Sequence, residues 1–165
     1  MRERARDKGR LEDIIEYSTN VTNLIEGYTL EELVADKRTY YSVMKNIEVV
    51  GEAAYMLTKA FKKSHPEIPW KIIQGMRHVL VHDYANVVSA TLYDTAVNDM
   101  IPLRQQVLRY LAETDWDEWQ SLPDEFDDAK IENFVKIARS MKADGMDIEK
   151  ITKYTGLTAE EIEVL

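Results

Sequence analysis

Apolar residues recur every three or four positions along most of this chain. That period restricts its fold more than any other feature, because it paints one face of an α-helix and never settles into the strict alternation of a half-buried strand. Leu11, Ile14, Ile15, Ser18, Val21 and Leu24/Ile25 mark a first helix from about Leu11 to Ile25, ending near Gly27. A short helical turn follows at Leu30 to Val34, behind Thr29. Tyr40, Met44, Ile47, Val50, Ala54, Leu57 and Phe61 mark a second long helix from about Lys37 to Lys63. In SHPEIPW, Pro66 and Pro69 cannot continue it, and a third helix is predicted from Trp70 to about Tyr84, with Asn86 as a left-handed stop. A fourth, from about Val88 to Leu111, carries Leu92, Ala96, Leu103, Val107 and Leu111, with a kink expected at Pro102. Only six glycines and four prolines punctuate 165 residues. The expected fold is therefore all-α, an antiparallel four-helix bundle over residues 1–113.

Beyond it, residues 114–165 read as an acidic linker plus a small helical appendage. ETDWDEWQSLPDEFDD has no sustained period and is expected to dock through Trp116 and Trp119. Ile131 to Lys142 reads as an amphipathic helix. MDIEKITKYTGLTAEEIEVL then reads as a helix, a turn at Gly156, and a last helix capped by Thr158 with Glu161 three residues on. The helix-turn-helix look invites a DNA-binding reading, but phosphate would be repelled by so acidic a last helix. DNA is disfavoured as a partner, and dimerisation or partner docking is the expected role, with a fold-over onto the basic site as RNA mimic another reading.

The absence of cysteine removes disulfides, thiolate zinc sites and cysteine nucleophiles together, and fits a reducing, cytoplasmic address. The N-terminus alternates charges where a leader would be apolar, and no window approaches the roughly 18 apolar residues of a membrane span, so neither export nor insertion is expected. The net charge of −9 argues at first against a nucleic-acid partner. Its distribution weakens the objection: residues 1–113 hold 15 basic and 16 acidic side chains, residues 114–165 hold 6 and 14. Arg2, Arg4, Arg6, Lys8 and Arg10 crowd one end of the nearly neutral part.

The run GMRHVLVHDY holds the residues best suited to chemistry. RNA cleavage without a metal needs a base near the ribose hydroxyl, an acid for the leaving oxygen, and a cation for charge on the phosphate. Arg77 offers a planar fork of donors for phosphate oxygens, and His82 is the side-chain type that exchanges protons near neutrality. On one ideal helix, His82 lies roughly 140° around from Arg77, whereas position 84 returns to the arginine's face. Either the helix distorts near His82, or two copies meet across a two-fold axis and line one cleft; the dimer is favoured. Glu48 and Glu52 share a helix face and could hold a metal, but pairing with Arg77 as support is the more economical reading, so neither metal nor cofactor is expected. His65, before proline in a loop, reads as structural.

Arg77, four residues, His82, Asp83 and Tyr84 match the Arg-x4-His-x-Tyr signature of HEPN-domain ribonucleases, and the surroundings resemble the HepT-like toxins. NIEVVGEAA at 46–54, HPEIPWKIIQGMRHVLVHDY at 65–84 and LYDTAVNDM at 92–100 resemble that family's second to fourth helices in order and spacing, covering about residues 10–112. The resemblance implies a homodimeric, metal-independent endoribonuclease, the toxin of a toxin–antitoxin pair. It implies opposition by a minimal nucleotidyltransferase antitoxin that adenylylates the motif tyrosine. Arg77 would then serve phosphate, His82 acid/base work, and Tyr84 would carry the modification, whose negative charge would occupy Arg77 and repel RNA. Where the family often has asparagine after the arginine, this chain has His78, which could share the proton work or hold the helix.

Two other readings stay open. One is a non-catalytic adaptor that binds a nucleotidyltransferase through the bundle, suggested by the acidity and the extra tail. The other is a regulator in which Arg77 holds the phosphate of a mononucleotide.

Overall fold

In the computed structural model, which describes residues 3–83, 86–122 and 128–165, all regular structure is helical. The chain forms two compact units, Arg2–Glu125 and Phe126–Leu165. The first is built on four long helices: α1 (Asp7–Leu24), α3 (Lys37–Met56), α5 (Trp70–His82) and α7 (Met100–Glu113), with short helices α2 (Leu30–Ala35), α4 (Lys59–Ser64) and α6 (Ser89–Asp94) in the connections. α1 packs on α3 and α7, and α3 packs on α5.

The directions follow from side-chain bonds. Asp7 at the start of α1 accepts from Thr58 just past the end of α3. Arg104 early in α7 donates to Thr19 and Thr22 late in α1. The Tyr40 hydroxyl at the start of α3 lies 3.1 Å from that of Ser89, beyond α5. Each pair runs antiparallel. The apolar stripes face inward: Leu11, Ile14 and Val21 of α1, Val43, Ile47 and Val50 of α3, and Leu103 and Val107 of α7 are buried. Each such side chain contributes about 1.5–3 kcal/mol of hydrophobic stabilisation relative to exposure.

Four local departures from the sequence reading have physical causes. The second long helix does not reach Lys63; it stops at Met56, Leu57 turns to extended backbone (φ −54°, ψ 145°), and Thr58 caps a new helix by accepting from the Phe61 N–H. The cause is Asp7, a fully buried carboxylate that takes the Thr58 N–H at 2.9 Å, the Thr58 hydroxyl at 2.5 Å, Arg10 at 3.2 Å and the Trp119 indole at 3.1 Å. Lys62 donates to the carbonyls of Ala54 and Tyr55, which the break exposes. The fourth helix is irregular at a π-helical turn, Thr95–Asp99, rather than at Pro102 itself. Pro102 brings no N–H to the carbonyl four residues back, and the wider turn lies just upstream.

The third helix ends at His82. No non-glycine residue among those described has positive φ, so Asn86 is not a left-handed stop; its side chain instead donates to Asp83 at 2.7 Å. Finally, part of the acidic stretch read as a linker is helix α8 (Trp116–Ser121), capped by Asp115. Its indoles lie on the Phe61 ring, Trp116 stacked and Trp119 edge-on. His65 joins this aromatic group, stacked on Phe61 and bonded through Nδ1 to the Phe61 carbonyl.

The second unit comprises α9 (Asp128–Ala143), α10 (Ile148–Thr155) and α11 (Ala159–Glu163) around Ala138, Ile151 and Ile162. Gly156 ends α10 in the left-handed region at φ 72°, where a side chain would be strained. Thr158 and Glu161 form the expected capping box.

Candidate active site

α5 owes its position to its first residues. Pro69 precedes it, the Trp70 indole donates to the His65 carbonyl at 2.8 Å, and Ile68 and Trp70 are buried. After that anchor only Leu80 of the helix is fully inside, and the rest of α5 is half-buried or exposed. Against α3 the approach is close: a Cβ on Gly51 would stand 2.5 Å from the Arg77 Cβ. Only glycine lets the two backbones pass at the level where the arginine leaves its helix.

The arginine is then fixed by two residues of α3. Its Nε donates to Glu52 at 2.6 Å, and its guanidinium carbon lies 5.2 Å over the Tyr55 ring. With the Arg77 and Glu52 side chains 24% and 45% exposed, this ion pair stabilises the fold by at most about 1 kcal/mol. Its main effect is orientation. Among the described residues the Nη nitrogens make no further hydrogen bond, so one edge of the fork is held and the other is presented. Glu48, expected beside Arg77, pairs with Lys45 at 2.6 Å instead. Glu48 and Glu52 thus each face a cation of their own, and no group of three acidic or histidine side chains suited to a metal occurs among the described residues.

His78 and His82, both exposed, sit one turn apart with ring centroids 4.9 Å from each other. Asp83 follows, its N–H bonded to Val79 and its carboxylate to Asn86. α5 remains a regular α-helix through His82, so the helix does not bend to bring Arg77 and His82 together. They stay roughly 140° apart around the axis. Tyr84 lies outside the described residues. Gly51 and Tyr55 were not singled out from sequence, although a glycine in mid-helix costs about 1 kcal/mol against alanine and thereby signals a close approach.

The region holding these residues matches a known family. Residues 14–110, more than half of the chain, match the family described as ribonuclease HepT-like. The chain belongs to the HepT-like ribonuclease family. Membership makes it a ribonuclease. Among its relatives, a protein of Methanocaldococcus jannaschii described as an RNase is 30% identical over 115 residues, 70% of this chain and 95% of that one. One of Thermococcus cleftensis described as a ribonuclease HepT is 34% identical over 59% of this chain and 88% of its own length. An RNase-named protein of Caldanaerobacter subterraneus subsp. tengcongensis is 31% identical over 61% and 90%. Residues 132–165 are similar to the C-terminal HTH domain of the Rpn/YhgA-like nuclease family. No solved structure matches the chain. No helix among the described residues is long and apolar enough to cross a membrane.

Proposed function

We propose that this HepT-like ribonuclease is a metal-independent endonuclease that works as a homodimer, with Arg77 gripping the scissile phosphate and His82 moving protons. The observation that carries the reading is the arginine: it is held through Nε by Glu52 and backed by Tyr55, and its Nη nitrogens make no further hydrogen bond among the described residues. Such a fork presents two parallel donors to phosphate oxygens, and fixing it beforehand lowers the cost of meeting charge as it develops.

A dimer is supported by the angle between Arg77 and His82 on a regular helix, since a partner's α5 would complete what one copy leaves apart. It is supported also by unpartnered apolar surface on that helix. Ile72 is 72% exposed, Val79 is exposed too, and an apolar groove of about 510 Å³ lined by Ile72 runs between α5 and α7 over Ile47 and Val50.

The biological role we assign is the toxin of a toxin–antitoxin pair in the cytoplasm, neutralised by a minimal nucleotidyltransferase. That enzyme would transfer an adenylyl group from a nucleoside triphosphate to the Tyr84 hydroxyl, releasing pyrophosphate. The support is family membership together with the motif tyrosine two residues after His82. The added phosphodiester would bring negative charge to the arginine's neighbourhood and compete with RNA.

The test is cleavage of mixed RNA in excess chelator by protein whose Tyr84 is shown bare by mass spectrometry. Wild type is expected to cut and to leave cyclic phosphate ends, while Arg77→Ala and His82→Ala fall by about 10²–10⁴-fold. Full activity in Arg77→Ala would sink the assignment. Partner binding without cleavage by wild type would favour the adaptor.

A further inference from the structure

The residue that proton transfer still lacks is a second one. Cleaving an RNA phosphodiester by its own 2′-hydroxyl requires two proton movements on opposite sides of phosphorus. Arg77 cannot make either, because a guanidinium does not release its proton in proteins. One imidazole can make one of them at a time.

The second imidazole stands one turn away. His78 and His82 are both exposed, on the same side of the last turns of α5, with ring centroids 4.9 Å apart and planes tilted by 51°. His78 directly follows Arg77 in the chain, about 100° around the helix from it, which is nearer the arginine than His82 stands. Apart from the other ring, His78 has no hydrogen-bond or ion-pair partner among the described residues. A helix-holding role is therefore not what its surroundings express.

We infer that His78 is a second proton-transfer group, sharing the acid and base roles with His82. This rests on the ribonuclease reading of the same helix. In the step, one neutral imidazole takes the proton of the 2′-hydroxyl as its oxygen bonds to phosphorus. The bond from phosphorus to the 5′ oxygen breaks, and that oxygen takes a proton from the other, protonated imidazole. The products are a 2′,3′-cyclic phosphate and a 5′-hydroxyl, and the two rings have exchanged protonation states with no other reactant consumed. Solvent resets the pair. The rings that act on one phosphate come from one protomer or from the two protomers of the dimer; the chemistry balances either way. The charged groups nearest the pair in sequence are Arg77 and Asp83, and α3, which packs against α5, carries Lys45, Glu48 and Glu52. Carboxylate, guanidinium and ammonium groups do not ordinarily change charge between about pH 5 and 8, so a limb of the rate profile there reports an imidazole.

The experiment compares wild type, His78→Asn and His82→Asn for kcat/KM across pH 5 to 9. Each is assayed on ordinary RNA and on RNA whose scissile 5′ oxygen is replaced by sulfur, a leaving group that needs no proton. The expected wild-type profile is a bell. His78→Asn should lose about 10²-fold or more on ordinary RNA and one limb of the bell. One of the two histidine variants, and only one, should recover on the sulfur substrate, naming the acid. The inference is overturned if His78→Asn stays within about threefold of wild type, if it loses rate with both limbs intact, or if sulfur relieves both variants or neither. A wild type that does not cleave at all defeats the ribonuclease assignment itself. A cleaving wild type silenced by Arg77→Ala, beside an unaffected His78→Asn, defeats this inference alone.

Discussion

At the residue scale the proposed site depends on how firmly α3 grips Arg77. Glu52 contributes little to stability because its ion pair faces water, yet it decides where the guanidinium points. Glu52→Gln should leave the thermal midpoint within a few degrees of wild type while lowering kcat/KM about tenfold or more. An unchanged rate would show that Arg77 positions itself. Gly51→Ala makes the opposite prediction about stability. Its new methyl would stand 2.5 Å from the Arg77 Cβ, so the helices must part, at about 1–3 kcal/mol for an overpacked contact. Both unfolding and activity assays should register the loss. Neither Gly51 nor Tyr55 stood out in the sequence, because their importance comes from α5 lying across them, and helical period says which face is inward but not which residue meets which. Arg77 and His82 were legible because guanidinium and imidazole carry their chemistry in the side chain itself.

At the scale of elements, the helices were readable from apolar spacing, and the buried positions of α1, α3 and α7 follow that spacing closely. What could not be read was the break at Leu57 and Thr58, where the period runs on unbroken through Phe61. The break is imposed from 51 residues away by Asp7, whose buried carboxylate collects donors from α1, the α3–α4 junction and α8. Asp7→Ala should therefore cost about 3–5 kcal/mol, as expected when one partner of a buried charged group is removed, and chemical denaturation would measure it. A second carboxylate junction predicts the acid response. Asp36 caps α3, and hydrogen bonds from the hydroxyls of Thr39 and Tyr28, with the Thr39 N–H, hold its carboxyl below the ordinary range. Glu67 is likewise lowered by its own backbone N–H and the Tyr110 hydroxyl. A carboxylate whose folded pKa lies below its unfolded one stabilises the fold fully above the unfolded value, and that contribution is lost as pH falls through the folded value. Thermal midpoints should decline as the medium is acidified below about pH 4, and the decline should be shallower in Asp36→Asn.

At the scale of the whole molecule, the proposed cleavage requires two copies. A regular α5 keeps Arg77 and His82 on different sides, and its outer surface retains Ile72 and Val79 in solvent. Ile72 is 72% exposed, so Ile72→Glu should leave helicity and melting nearly unchanged while shifting the light-scattering mass from dimer to monomer and abolishing cleavage. The sequence suggested this pairing through an angle, but no single-chain pattern tells which surface a second copy covers. The most direct measurement is complementation: Arg77→Ala and His82→Ala proteins are each assayed alone in chelator, then mixed under conditions that exchange subunits and assayed again. A site built across the two-fold axis gives one intact arginine–histidine pair in every mixed dimer, so the inactive parents should together recover about a quarter of wild-type activity. A mixture with proven subunit exchange that stays as inactive as its parents would contradict a site shared between two copies of α5.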